Sequence, residues 1–179
     1  EEEYFEFYKH LSHDWEKPLK HIHVSAEGRM EYVSLLFIPA KRPFTFSFHD
    51  RKSSIHLYVK KVLIMDDCKD LLPEYLRFVK GMVDASDLAL NVSREMLQGD
   101  RKVATIRSHL TKKILDTLSE IKKDSFEEYE KFWQAFGSLI KEGLHSDFNQ
   151  KDKLKDLLLY PSTHGSAATS LDAYLERMK

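Results

Sequence analysis

A helical repeat of apolar residues in the second half of the chain limits the fold more than any other feature of the sequence. Apolar residues recur every three or four positions from Val103 to Ile121, which predicts one long amphipathic helix that Asp100 can cap. Ser125 opens a second helical pattern. A third, shorter pattern ends before Pro161, because proline lacks the amide that a helix needs. The second half of the chain is therefore predicted to be mainly helical.

Strand-like patterns fill the first half instead. A run from His21 to Ala26 turns at Glu27-Gly28 into a second run from Met30 to Ala40, as in a β-hairpin. The apolar run from Ile55 to Met65 is interpreted as one strand, and the small residues His164 to Ala168 are interpreted as a loop. Strands in the first half and helices in the second indicate a sheet layer covered by helices, followed by a helical bundle.

Charge and hydropathy exclude several classes of function. The 179 residues have a net charge of -1 and no long run of lysine or arginine, which argues against a nucleic-acid partner. No apolar run approaches the roughly 20 residues that span a bilayer, so no membrane partner is expected. The chain opens on Glu1-Glu2-Glu3 without an initiator methionine, and we expect it to be a fragment of a longer protein.

The sequence contains no complete set of catalytic or metal-binding residues. Four histidines lie near one another along the chain, but no clustered cysteine or third acidic ligand joins them, so no metal site is expected. They are His10, His13, His21 and His23. Cys68 follows two aspartates, whose negative charge disfavours a reactive thiolate. Any part in catalysis would be a single group, contributed to a site whose other members lie elsewhere.

The segment from Leu90 to Gln98 is the best candidate for such a group. Ser93 can cap a helix, which places Arg94 on the first helical position and Gln98 one turn later on the same face. A guanidinium at this end opposes the helix dipole, which favours anions there. Arg94 therefore either receives an anion from outside or forms an ordinary surface pair with a neighbouring carboxylate, which is the commoner case.

Two groups of aromatic residues are candidates for a binding surface. Trp15 lies beside Pro18 in a polar loop that offers no obvious core for a large apolar side chain. Three phenylalanines alternate in the loop after Pro43, namely Phe44, Phe46 and Phe48. Burial is the usual fate of aromatic side chains, whereas an exposed aromatic patch marks a binding site, and the sequence leaves both readings open.

Seven ordered motifs together resemble the middle domain of the heat-shock protein 90 family of molecular chaperones, in its bacterial high-temperature protein G branch. The resemblance covers essentially the whole chain, and its nine-residue motif is Leu90–Gln98. The other motifs are Glu6–Lys9, Asp14–Leu19, Leu35–Pro39, Leu57–Asp67, Leu71–Gly81 and Thr169–Leu171. The fold that it implies is a three-layer α/β/α sandwich with a mixed sheet, followed by a small helical bundle.

The resemblance also implies a role in ATP hydrolysis. The loop that matches Asn91–Gln98 reaches into the ATP site of the preceding domain in that family. There the arginine that matches Arg94 contacts the γ-phosphate, and the glutamine that matches Gln98 supports the loop. ATP and Mg²⁺ would be bound mainly by the N-terminal domain, so no cofactor is expected in this chain and no ATPase activity is expected from it alone.

Partners and domain limits follow from the same resemblance. It implies contact with the N-terminal ATPase domain, non-native client proteins and possible co-chaperones, in a cytoplasmic protein that dimerises through a C-terminal domain and acts in the heat-shock response. Clients would be gripped by Trp15, Phe44, Phe46 and Phe48. Residues 1–123 would form the large α/β/α part, 124–160 the linking helices and 161–179 the start of a smaller subdomain. A stand-alone peptide-binding module is the alternative.

Overall fold

The computed structural model of this chain describes residues 2–28, 30–43, 46, 54–90, 94–97 and 99–178, with only the backbone of Arg94 and Ser166. The chain divides into two compact units, Glu1–Thr111 and Lys112–Lys179. No described helix is both long enough and apolar enough to cross a membrane. The functional division expected after residue 123 stays a prediction.

The first unit is built on a mixed five-stranded sheet. It contains the helix α1 (Glu2–Ser12) and the strands β1 (Lys20–Ala26), β2 (Tyr32–Ile38), β3 (Ser54–Val59), β4 (Val62–Met65) and β5 (Lys80–Ala85), with a 3-10 turn at Glu74–Leu76. The strand order is β1-β2-β5-β3-β4. Only the β3–β5 pair is parallel, and the other three pairs are antiparallel.

Helices lie on both faces of this sheet. On one face, the ring of Tyr8 from α1 lies 5.2 Å from the ring of Phe37, measured between centroids. On the other face, the Tyr32 hydroxyl is 2.5 Å from Nδ1 of His109, which belongs to α3 (Arg101–Asp124). The predicted three-layer α/β/α arrangement with a mixed sheet is confirmed.

The strand predicted from Ile55 to Met65 is wrong, because the chain reverses in its middle. Lys60 and Lys61 form the turn between β3 and β4 with φ values of 51° and 64°. Turns of this kind usually carry glycine or asparagine, so two lysines gave no turn signal. The side chain of Asp84 on β5 accepts a hydrogen bond from the Lys61 amide at 3.0 Å, which stabilises the turn.

The second unit is mainly helical, as the sequence predicted. It includes α4 (Phe126–Ser146), α5 (Lys151–Leu157) and α6 (Leu171–Arg177). One stripe of α4 is fully buried and contains Tyr129, Phe132, Phe136, Leu139 and Ile140. The Tyr129 hydroxyl donates to the Leu157 carbonyl at 2.5 Å and so joins α4 to the end of α5.

One local prediction in this unit is corrected. Residues His164 to Ala168 were expected to form a loop, yet β7 (Gly165–Thr169) pairs with β6 (Tyr160–Ser162) in a two-stranded antiparallel sheet. Small residues give little strand signal, because pairing depends on the partner strand rather than on their propensity. Phe126, which shares the helical spacing of the α4 core, is 40% exposed because it lies at the first residue of the helix.

Candidate functional site

The segment between β5 and α3 contains the predicted catalytic group. β5 ends at Ala85, and α2 (Arg94–Leu97) begins at Arg94, the residue that the sequence pattern places first in the helix. Gln98 and the Arg94 side chain lie outside the described residues, so the roles assigned to both stay predictions. Leu97, the last residue of α2, is 1% exposed and anchors this short helix in the core.

The start of α3 fixes where this segment ends. Oδ1 of Asp100 accepts hydrogen bonds from the backbone amides of Lys102 at 2.6 Å and Val103 at 3.2 Å. This is the helix cap that the sequence predicted. Gly99 precedes it with a φ of 88°, a conformation that glycine adopts without steric cost.

Both ends of the segment are also tied together. Nζ of Lys102 donates to the carbonyl oxygen of Asp87 at 2.8 Å. Oδ2 of Asp87 in turn accepts from the backbone amide of Glu31, in the β1–β2 loop, at 2.9 Å. The residues that follow β5 and those that begin α3 are therefore held next to each other. The short helix α2 lies in the segment between these two ends.

Trp15 lies on a hydrogen-bonded turn, residues Ser12 to Glu16, which we call the Trp15 turn. Its indole is 82% exposed. The Asp14 carboxylate accepts from the Tyr8 hydroxyl at 3.2 Å and from the Glu16 amide at 3.1 Å. Ser12 Oγ accepts from the Asp14 amide at 3.1 Å. An exposed indole on a turn held by three hydrogen bonds is presented to solvent by the fold.

Lys80 lies on the same side of the sheet, and sequence reasoning gave it no function. Its Nζ donates to Ser54 Oγ at 3.0 Å. Burial lowers the pKa of the Lys80 ammonium, while the negative charge of Asp14 acts in the opposite direction. The only sequence signal for it is a charged residue at the start of an otherwise apolar strand. Lys80 thus supplies a positive charge near the carboxylate that organises the Trp15 turn.

The second aromatic group is described only at Phe46. Its side chain is partly buried, and its backbone amide donates to the Pro43 carbonyl at 2.9 Å. Phe44 and Phe48 lie outside the described residues. The client-binding role assigned to Phe44, Phe46 and Phe48 therefore stays a prediction.

The histidines near the amino terminus contact an aromatic residue. The ring of Tyr4 lies 4.5 Å from the ring of His21, and its hydroxyl is 3.1 Å from Nδ1 of His23. Among the described residues, no three His, Cys, Asp or Glu side chains are grouped so that they could hold a metal ion. Cys68 is buried, and its amide donates to the Ile55 carbonyl at 3.0 Å. His21 and His23 therefore both contact the ring or hydroxyl of Tyr4, and His23 is exposed.

Comparison with known proteins gives one consistent result. The family model described as Hsp90 protein matches residues 1–179. Chaperone protein HtpG of Bdellovibrio bacteriovorus is 53% identical over 178 residues, and that of Geobacter sulfurreducens is 54% identical over 180 residues. Each alignment covers 99% of this chain, which spans only 28% of the length of either relative.

A solved structure agrees with these relatives. The middle domain of a putative heat-shock protein of Plasmodium falciparum superposes with a TM-score of 0.84 at 28% sequence identity. The match covers 99% of this chain and 69% of that chain. The chain is thus similar in sequence to bacterial HtpG chaperones and similar in fold to the middle domain of a heat-shock protein.

Proposed function

The chain belongs to the Hsp90 protein family and has the fold of its middle domain, and on that premise we propose that it is the middle segment of an ATP-dependent chaperone that completes the ATPase site. Arg94 would complete the site by contacting the γ-phosphate of an ATP molecule that the N-terminal domain of the longer protein binds. The observation that carries this proposal is the start of α2 at Arg94, on a segment whose two ends are tied by Lys102 and Asp87.

The chemistry of an arginine suits this task. Its guanidinium is a planar fork of donors that matches phosphate oxygens, and it stays charged at every physiological pH. A residue supplied from a second domain reaches the phosphate only when the domains close, so hydrolysis becomes coupled to closure. Gln98 would support the loop from one turn further along. The tie between Lys102 and Asp87 would limit how far Arg94 can drift from its working position.

The nucleotide and its metal belong to the neighbouring domain in this proposal. ATP is the substrate, and Mg²⁺ would neutralise phosphate charge there together with the protein groups of that domain. The middle segment would add one positive charge and no metal ligand. Its own residues would therefore orient and stabilise the phosphate without binding nucleotide tightly by themselves.

The first prediction tests this role in the full-length protein. Arg94→Ala should lower kcat for ATP hydrolysis at least about tenfold and leave the nucleotide Kd nearly unchanged, since arginine fingers act mainly on the transition state. We expect less than the largest finger effects, because part of the role is to favour the closed state. Steady-state turnover and equilibrium nucleotide titration provide the two measurements.

The matched control is Arg101→Ala, which removes an exposed cation at the start of α3, in the same part of the chain. It should leave turnover within about twofold of the wild type. Turnover that is equal in the two variants would remove the finger role. The middle segment would then be left as the alternative, a peptide-binding module without a part in catalysis.

The segment would also offer a surface for non-native clients. The exposure of Trp15 supports this, because a large indole in solvent is an available apolar contact on an otherwise polar turn. Phe44, Phe46 and Phe48 would be further client contacts. In the full-length protein we place these activities in the cytoplasm, in a homodimer formed by a C-terminal domain, with possible co-chaperones as further partners.

A further inference from the structure

A groove runs between α1 and β1 on the same side of the first unit as Trp15. We call it the α1–β1 groove, and its volume is about 440 Å³. Residues that line it include Tyr4 and Phe5 from α1, then Lys17, Pro18, Lys20 and His21 from the stretch that leads into β1. The walls are therefore aromatic, while the two lysines supply positive charge.

β1 forms one edge of the five-stranded sheet. Among the described residues it pairs only with β2, along all seven of its residues. Alternate residues of an edge strand direct their amide and carbonyl groups away from the sheet, where another extended chain can pair with them. Lys20 and His21, the first two residues of β1, line the α1–β1 groove, so backbone pairing and side-chain contact are available at one end of this strand.

The aromatic surface continues from the groove to Trp15. Nζ of Lys9 lies 5.1 Å from the ring centroids of both Phe5 and Trp15, and Nζ of Lys17 lies 5.8 Å from that of Phe5. Phe5 and Lys17 line the groove as well. A continuous strip of rings and ammonium groups therefore leads from the groove to the exposed indole.

The charge of the residues that line the α1–β1 groove favours an acidic occupant, whereas Lys9 is already paired with Glu6. Lys17 and Lys20 are exposed, and neither has an ion-pair partner within the described part of the chain. Glu2 is the acidic residue among those that line the groove. Lys17 and Lys20 are thus among the lining residues with one carboxylate, Glu2, so carboxylate side chains of a bound chain would find net positive charge beside the first residues of β1.

We propose that β1 and the α1–β1 groove together bind an extended, acidic segment of a non-native polypeptide by strand addition. The segment pairs with the outer edge of β1, places an aromatic side chain in the groove and sets carboxylates against Lys17 and Lys20. Backbone hydrogen bonds do not depend on the identity of the side chains, so one site can bind segments of many sequences. This inference rests on the proposed client-binding role, and it assigns that role a surface and a chemistry.

The test uses a fluorescein-labelled peptide of about ten residues, which spans β1 at about 3.3 Å per residue. Glutamate alternates with valine in the peptide, and one phenylalanine lies at its centre. It should bind the 179-residue chain, whereas the same peptide N-methylated on consecutive central amides should bind at least about tenfold more weakly, because donors on both of its edges are lost. Equal binding of the two peptides would overturn strand addition.

Hydrogen exchange locates the contact. Bound peptide should slow amide exchange within β1, and unchanged exchange there at saturating peptide would overturn the proposal. Lys17→Glu combined with Lys20→Glu should weaken binding about tenfold. The control pair Lys112→Glu and Lys113→Glu changes the charge equally at two exposed lysines outside the groove and should have little effect. Thermal melts check that all variants are folded.

The outcomes distinguish strand addition at the α1–β1 groove from the broader proposal that the chain binds clients through Trp15. Normal peptide binding by the Lys17 and Lys20 variant, together with weakened binding by Trp15→Ala, would leave client contact at Trp15 standing and remove the groove. Normal capture of a urea-unfolded protein by Trp15→Ala in the full-length protein would instead remove Trp15 from the proposed client role, whatever the peptide does. A peptide that depends on Lys17, Lys20 and its own amides supports the inference.

Discussion

The two faces of the five-stranded sheet differ in what they bury. On the face toward α3, successive alternate residues are fully buried, such as Ile55, Leu57 and Val83. On the face toward α1, Phe37 is fully buried against Tyr8, but the paired positions of β3 and β5 are only partly buried and include His56, Lys80 and Asp84. Successive side chains of a strand point to opposite faces of the sheet, so each strand contributes side chains to both faces.

We therefore expect the two faces to contribute differently to stability and to binding. The α3 face contributes stability, because each buried aliphatic side chain removes apolar surface from water. The α1 side carries hydrogen-bonded polar groups: Asp14 holds the Trp15 turn, on which the indole is exposed, and Lys80 donates to Ser54. We therefore expect substitutions on the α3 face to affect folding, and those on the α1 side to affect binding more than folding.

Gly81→Ala should have the largest effect on stability. Gly81 has a φ of 154°, and an added Cβ would lie 2.3 Å from the Leu35 carbonyl oxygen and 2.9 Å from the Leu36 Cα. Backbone atoms cannot move aside as a side chain can, so we expect a loss of about 4 kcal/mol or more in urea unfolding. Gly165→Ala is the control, since its Cβ would meet nothing within 4 Å. Equal melting of the two variants would contradict this.

Neighbouring residues on β3 test the two faces directly. Leu57→Ala removes a fully buried side chain from the α3 face and should lower the free energy of unfolding by about 3 kcal/mol. His56→Ala, one residue away on the α1 face, should lower it by less than about 1 kcal/mol. Circular dichroism melts of both variants measure the difference. Similar losses would show that both faces stabilise the fold equally.

Alkaline pH should act on the α1 side through Tyr8. Burial, and then the nearby charge of Asp14, raise the pKa of the Tyr8 phenol above its usual 10.0. The unfolded chain loses this proton first, so the contribution of Tyr8 to stability is complete below pH 10 and falls as the pH rises further.

Tyr8→Phe should therefore lose less stability than the wild type between about pH 9 and about pH 11, by up to roughly 1.4 kcal/mol per pH unit. Urea titrations across this range measure the slope, and Tyr174→Phe, which removes an exposed phenol, is the control. A wild-type slope identical to that of Tyr8→Phe would show that the phenol does not titrate differently on folding.

The smallest effect on stability is expected at Trp15. Trp15→Ala should change the free energy of unfolding by less than about 0.5 kcal/mol, because the indole is already in solvent. The same substitution in the full-length protein should weaken capture of a urea-unfolded protein. A melting temperature that falls by many degrees would place the indole among the stabilising contacts and break the proposed division between the faces.

Much of the fold could be predicted from local pattern. The periodic apolar positions of α3 and α4 gave both helices, and the Asp100 cap gave the start of α3. The β3–β4 turn could not be predicted, because Lys60 and Lys61 adopt positive φ with help from Asp84, which lies far away in sequence. Likewise, β7 becomes a strand only because β6 is beside it.

The residues of the candidate site also fall into those that local sequence pattern identified and those that it did not. The sequence singled out Arg94 and Trp15, since a cation at a helix start and an indole in a polar loop are both locally unusual. It could not identify Lys80, nor the tie between Lys102 and Asp87, because a hydrogen bond to a carbonyl leaves no pattern in the sequence. The α1–β1 groove was also out of reach, since its two walls come from separate elements.

By itself, the order of residues determined the class of fold and its family, because periodicity and ordered motifs are properties of the chain alone. Tertiary structure decided which groups face each other across the sheet, which strand became an edge and how far Trp15 projects into solvent. These depend on contacts between residues distant along the chain, where distance and burial rather than residue type set the energy.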